Sequence, residues 1–122
     1  MQVGYSKMLE KTNKLIMLFD FYGELLTPRQ KEIFKLYYYE DFSLGEISEL
    51  EGISRQAVYD LLQRCEELLQ DYESRLGFVD RFTFQRKSLK KIKEILTRET
   101  HLDNNTREKC LKLLDELLRS EA

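Results

Sequence analysis

The 122-residue chain is predicted to be all-α. Apolar residues recur three or four apart almost throughout, the period of one helix face. One proline and five glycines are too few for the many turns of a β-sandwich or barrel. Ser or Thr stands just before several apolar runs, where the hydroxyl can accept the unpaired N–H groups of a first helical turn.

The elements follow in order. A first helix is expected over 5–22, with Met8, Leu9, Thr12, Leu15, Ile16 and Phe19 sharing one face and Met17 counted with the core. Gly23 and the Thr27-Pro28 pair close it. Thr27 opens a second helix: Gln30 completes a capping box, and Pro28 at the first helical position loses no hydrogen bond. Ile33, Phe34, Tyr37 and Tyr38 form its inward stripe, and Glu40 and Asp41 end it. Ser43 and Glu46 make another capping box, starting a short helix with Leu44, Ile47 and Leu50 inward. Gly52 occupies the turn, Ile53 plugs the corner and Ser54 caps the next helix. That helix runs unbroken through Val58, Leu61, Leu62, Cys65, Leu68, Leu69, Tyr72 and Leu76 to Gly77. Beyond it, 78–84 is an aromatic connection with Phe78, Val79, Phe82 and Phe84. A helix is expected over 84–99 with Leu89, Ile92, Ile95 and Leu96 inward. A last helix is capped by Asn105 and Glu108, with Cys110, Leu111, Leu114, Leu117 and Leu118 inward. The organisation expected is one all-α domain over 1–122, a helix-turn-helix unit at 27–76 and a basic helical extension at 77–122.

Composition narrows the chemistry. No apolar run approaches the length of a membrane span, and the start lacks the apolar core of a signal peptide, so a cytoplasmic protein is expected. Cys65 and Cys110 have neither the number for a disulfide framework nor metal-ligand spacing, and both lie on apolar stripes. The lone histidine, His101, falls in a polar loop and cannot supply an imidazole cluster. With no nucleophile–base pair, phosphate loop or metal cluster in the sequence, no enzyme, metal or cofactor is expected.

Net charge is −2, but unevenly spread. Residues 27–76 carry six basic and eleven acidic groups, whereas 77–122 carry eleven basic and eight acidic. The stretch 81–93 holds Arg81, Arg86, Lys87, Lys90, Lys91 and Lys93 with no acid. On a helix, Arg86, Lys90 and Lys93 fall on one face, and Lys87 and Lys91 on a neighbouring row, suited to sequence-independent phosphate contact. A solvated helix face is the plain alternative.

The segment S-L-G-E-I-S-E-L-E-G-I-S-R-Q-A-V-Y-D-L-L reads as a helix-turn-helix. In the DNA-binding form, the first turn of the second helix enters the major groove. Ser54, Arg55, Gln56, Tyr59, Asp60 and Gln63 are then the candidate contacts, since Arg and Gln can read guanine and adenine edges. DNA is expected over RNA. Between Ser54 and Leu76, however, three basic residues stand against five acidic ones, so a protein-docking scaffold is the alternative.

The segment L-T-P-R-Q-K-E-I-F-K-L-Y-Y-Y-E-D-F-S-L-G-E-I-S-E-L-E-G-I-S-R-Q-A-V resembles region 4 of bacterial sigma factors. With the N-terminal helix and the C-terminal helices, nearly the whole chain resembles the YlxM-like family. These are small bacterial helix-turn-helix proteins encoded beside signal recognition particle genes. The resemblance implies a three-helix core like a winged helix without its wing, preceded by an N-terminal helix and followed by a C-terminal helical hairpin. It also implies a regulator in the signal recognition particle pathway, with components of that particle as partners. Sigma recognition helices are richer in arginine; here Ala57 and Tyr59 stand at positions often basic there.

Two further expectations concern surfaces. Tyr37, Tyr38 and Tyr39 are consecutive and cannot share one helix face, so at least one is exposed as an interface candidate while two enter the core. The apolar supply is generous for one small helical domain, and Val58, Leu61, Cys65, Leu68 and Tyr72 trace a coiled-coil seam. A homodimer or higher oligomer is therefore expected, through an apolar face left over from the long helix, the first helix or the C-terminal pair.

Overall fold

A computed structural model describes residues 2–119, with side chains described from Met8 onward. Six α-helices and no strand occur among the described residues: α1 (Gln2–Tyr22), α2 (Pro28–Tyr38), α3 (Leu44–Glu51), α4 (Arg55–Leu76), α5 (Phe78–Arg98) and α6 (Asn104–Arg119). A single 3-10 turn, Gly23–Leu25, lies between α1 and α2. The chain divides into two compact units, Met1–Gly77 and Phe78–Ala122.

In the first unit the helix boundaries are set by local chemistry. The Thr27 hydroxyl accepts from the Gln30 N–H at 3.2 Å, and the Gln30 side chain accepts from the Thr27 N–H at 2.9 Å. Ser43 and Glu46 repeat the arrangement at 3.0 Å in both directions. These bonds hold the Glu46 carboxyl below its usual range, because the backbone N–H of Ser43 stabilises the charged form. Gly52 (φ 69°) and Gly77 (φ 65°) end α3 and α4 in the left-handed conformation, which costs a side-chain-bearing residue strain but glycine nothing.

The core of this unit joins all four helices. Ile33, Ile47, Val58 and Leu62 form its centre, with Leu36, Leu44, Ile53 and Leu61 packed around them. Thus Ile47 and Val58 lock α3 to α4, and Ile53 closes the corner between them. The Ser48 hydroxyl fixes that corner by donating to the Ile53 carbonyl at 2.5 Å. α1 adds Leu15, Leu18, Phe19 and Tyr22, all buried. Phe19 stacks on Phe34 with ring centroids 4.5 Å apart. The Tyr22 hydroxyl donates to Glu73 of α4 at 2.5 Å. Burying a Phe or Leu side chain of this kind stabilises by about 1.5–3 kcal/mol.

The second unit is a hairpin. The Lys93 ammonium donates to Asp115 at 2.8 Å, Arg86 donates to the Leu118 carbonyl at 2.5 Å, and Arg107 donates to the Leu96 carbonyl at 3.1 Å. Going forward along α5 from 86 to 93 to 96 thus runs backward along α6 from 118 to 115 to 107, so the two helices are antiparallel. Within α6 Leu114 is buried.

Several expectations need correction. The helix expected from 84 begins at Phe78, because Gly77 alone makes the break and Phe78, Val79 and Phe82 already keep helical spacing. The last helix starts at Asn104, not after Asn105: the Asp103 carboxylate accepts from the Thr106 N–H at 3.3 Å and takes the capping role. Met8, Leu9 and Met17 are exposed, since α1 buries side chains fully only from Leu15 onward and Met17 lies on its outer side. Leu50 is exposed because the eight-residue α3 buries only Ile47 fully. Tyr37 and Tyr39 are exposed, and Tyr38 is only half-buried, so two tyrosines do not enter the core. Ile92, Ile95 and Leu117 are exposed instead of inward.

Candidate nucleic-acid interface

The helix-turn-helix is built from α3, the Gly52–Ile53 corner and α4. The Ser54 hydroxyl caps α4 by accepting from the Ala57 N–H at 3.0 Å. Its oxygen is thereby committed to the helix, while its O–H hydrogen is still available to donate. The cap brings α4 out of the turn with its first residues at the surface: Ser54, Arg55, Gln56, Tyr59, Asp60 and Gln63 are all exposed. Val58, Leu62, Cys65 and Leu69 occupy the buried side, so Gln56, Asp60 and Gln63, at steps of four and three, point away from the core. Tyr59 flanks that row and is 48% exposed.

Arg55 behaves differently. Its guanidinium lies against the first turn of α3: a Cβ placed on Gly45 would stand 3.1 Å from both Nε and Nη2. The missing side chain at Gly45 is what lets the guanidinium lie there. Sequence reasoning assigned Gly45 no part in the site, because a glycine at the second position of a short helix gives no local signal. Its importance comes from Arg55, ten residues away in the chain.

Electrostatics temper the surface of α4. The Gln56 amide donates to the Asp60 carboxylate at 2.9 Å, so these two candidate contacts occupy each other. Arg64 pairs with Glu67 at 3.6 Å, and Arg29 with Glu51 at 3.7 Å. Exposed pairs of this sort contribute at most about 1 kcal/mol each. They also reduce the positive field available to a phosphate.

The basic residues of α5 separate into two sets. Arg86 and Lys93, expected on one open face with Lys90, turn towards α6. Arg86 binds the Leu118 carbonyl and lies 5.4 Å from the Phe82 ring centre, and Lys93 pairs with Asp115. A cation is favourable against the carbonyl-bearing end of a helix, which accounts for the position of Arg86. Lys87, Lys90 and Lys91 remain exposed. The α4 candidates and these lysines belong to different units.

Behind the helix-turn-helix lies a polar cluster that the sequence did not reveal. The Tyr38 hydroxyl donates to Glu66 at 2.5 Å, and Lys11 of α1 approaches the same carboxylate at 3.9 Å. Burial, and then the bond to Glu66, push the Tyr38 phenol well above its usual range. Tyr39 donates to Asp20 at 2.9 Å, and burial followed by that bond raises it to about 12. Cys65 is fully buried, its Sγ 3.8 Å from the Gln30 carbonyl; burial, and then the nearby Glu66 charge, push its thiol up to about 11. A buried thiol held in its neutral form is a packing group and not a nucleophile.

No helix among the described residues is long and apolar enough to cross a membrane. Residues 9–112 match the family described as "Putative helix-turn-helix protein, YlxM / p13 like". A UPF0122 protein of Oceanobacillus iheyensis is 50% identical over 95 residues, covering 78% of this chain and 90% of the relative. UPF0122 proteins of Listeria welshimeri and Bacillus mycoides are 44% and 43% identical over 101 residues, covering 83% of this chain and 92% of each relative. The cap-and-glycine corner that builds α3 and α4 lies inside the matched segment, and the chain belongs to the UPF0122 family of YlxM / p13-like helix-turn-helix proteins.

Proposed function

We propose that this protein is a cytoplasmic, DNA-binding regulator that inserts the first turns of α4 into a major groove. The carrying observation is that Gln56, Tyr59, Asp60 and Gln63 stand together on the exposed side of a helix whose start is capped and presented by Ser54. In this reading Arg55 swings from Gly45 to a base edge. Lys87, Lys90 and Lys91 add phosphate contacts that position without specifying, while Arg86 supports them through α6. The helix-turn-helix unit over 27–76 reads, and the basic extension over 77–122 holds. Two copies assemble, so that two reading helices act on one duplex. The resemblance to the YlxM-like family implies a regulatory place in protein targeting, and the reading extends to it.

Binding to a mixed-sequence duplex, followed by fluorescence anisotropy across salt, tests the reading. Affinity should fall steeply as salt rises, because each phosphate contact releases counterions. Lys90→Ala or Lys91→Ala should flatten the slope by about one unit each. Arg55→Ala should cost about 1–3 kcal/mol on a selected site and relax its specificity. Absence of binding at low salt overturns the proposal.

One observation favours a second reading. The Gln56–Asp60 bond and the acidic balance of 27–76 suit a protein-docking face better than a phosphate backbone. Here the helix-turn-helix is a scaffold, and the partners are protein components of the targeting pathway. Arg55→Ala and Tyr59→Ala leaving nucleic-acid binding intact, while the lysine changes abolish it, would select this reading.

A further inference from the structure

The α5–α6 hairpin carries an apolar face that neither helix covers. On α5, Phe84, Ser88, Ile92 and Ile95 follow one another at steps of four, four and three. Phe84 is 71% exposed and Ile95 58%. On α6, Cys110, Leu113 and Leu117 follow at steps of three and four, with Leu113 62% exposed and Leu117 56%.

These stripes lie on the same side. At about 100° per residue, the α5 stripe is turned roughly 120° from the row that meets α6, and the α6 stripe roughly 110° in the same sense from the row that meets α5. Because the helices are antiparallel, equal turns in the same sense place both stripes on one side of the hairpin. The polar links Lys93–Asp115 and Arg86–Leu118 lie towards the other side, with Lys87 and Lys90. The hairpin is thus a single layer with one largely apolar surface, edged by Lys91 seven residues after Phe84 and four before Ile95, and one charged surface. A helix layer of this kind needs a second layer to bury its apolar side.

We infer that this face pairs with the same face of a second copy, so that two hairpins close into a four-helix bundle. The area supports that occupant. The exposed side chains Phe84, Ile92, Ile95, Leu113 and Leu117 present roughly 600 Å², most of the roughly 800 Å² per partner of a standard stable interface, whose rim is ordinarily polar. A patch of that size stands at the upper end of what a monomer ordinarily leaves open, the range in which such patches are commonly interaction sites. Its form supports a like partner too. Two stripes of matching heptad-like spacing on an antiparallel pair are what a two-fold axis needs to lay α5 of one copy against α6 of the other. The inference deepens the two-copy assembly proposed above and rests on it, but is independent of DNA.

Sedimentation equilibrium on the full chain at about 100 micromolar tests it, a concentration that populates even a weak dimer. The parent protein should sediment at twice the chain mass. Phe84→Glu with Ile95→Glu, and separately Leu113→Glu with Leu117→Glu, should each weaken the dimer at least about 30-fold. Lys90→Glu and Met8→Glu should leave it intact. Phe84→Ala with Ile95→Ala, which keeps helix propensity, should also weaken it, so loss of helicity in the glutamate variants does not decide the matter. A monomeric parent overturns the two-copy assembly itself. A dimeric parent whose alanine and glutamate variants all remain dimers overturns this surface alone.

Discussion

The two units solve the same problem, hiding the apolar sides of amphipathic helices, in opposite ways. The first closes on itself: α1, α2, α3 and α4 surround Ile33, Phe34, Ile47 and Val58, each fully buried. The hairpin stops one layer short, buries Leu114 between its helices and leaves Phe84, Ile95, Leu113 and Leu117 at its surface. The difference lies in helix number and not in helix quality. Four helices meeting at angles enclose a volume, whereas two can only share a line.

The largest test of this comparison is a core deletion. Phe34→Ala should destabilise the first unit by about 3–5 kcal/mol, because it removes the Phe19 stack and leaves a cavity. Leu114→Ala should cost about 2 kcal/mol, the low end of the range, because the hairpin can collapse around the gap. Urea unfolding followed by circular dichroism would measure both, and equal losses would break the contrast.

Alkaline pH should act next, and on the first unit. Cys65 has its folded pKa raised from the ordinary 9.0 to about 11, chiefly by burial. The folded state therefore holds its proton where the unfolded chain releases it. The stabilisation is complete below pH 9 and lost as pH rises towards 11, on the order of 3 kcal/mol. Tyr39, raised to about 12, extends the loss upward from pH 10. Urea midpoints at pH 7, 10 and 11 should fall in step, and Cys65→Ala should flatten the fall.

Smaller effects probe the joints of the first unit. Gly52→Ala should cost about 1–2 kcal/mol, since a side chain at φ 69° is strained. Ser54→Ala should cost about 1 kcal/mol by removing the cap of α4. Thermal unfolding would register both. The smallest change belongs to the hairpin: Lys93→Ala, which removes a half-exposed ion pair with Asp115, should cost less than about 1 kcal/mol. A larger loss would mean that polar links, and not apolar packing, hold α5 to α6.

The helix-turn-helix was legible because its signals are local. Capping boxes at Thr27–Gln30 and Ser43–Glu46, the Ser54 cap and the glycines at 52 and 77 each act within a few residues, and the structure places each where the spacing predicts. The candidate site was half legible. Exposure of Gln56, Tyr59, Asp60 and Gln63 followed from the buried side of α4. The resting position of Arg55 against Gly45 did not, because it depends on how closely α3 approaches α4. The basic row of α5 was misjudged for a related reason: residues that look adjacent on one helix divide when a second helix claims Arg86 and Lys93.

The helical class, the corner between α3 and α4 and the uneven charge can be read from the residues alone, since periodicity, caps, glycine conformation and ionisation are properties of short stretches. Which apolar residues are used depends instead on the packing of one element against another. Met8, Ile92, Ile95 and Leu117 carry the same spacing signal as Leu15 or Leu114 and yet lie exposed. Hydrophobic spacing says that a side chain has a face to hide, whereas burial requires a neighbouring element at that height and on that side, which no local pattern encodes.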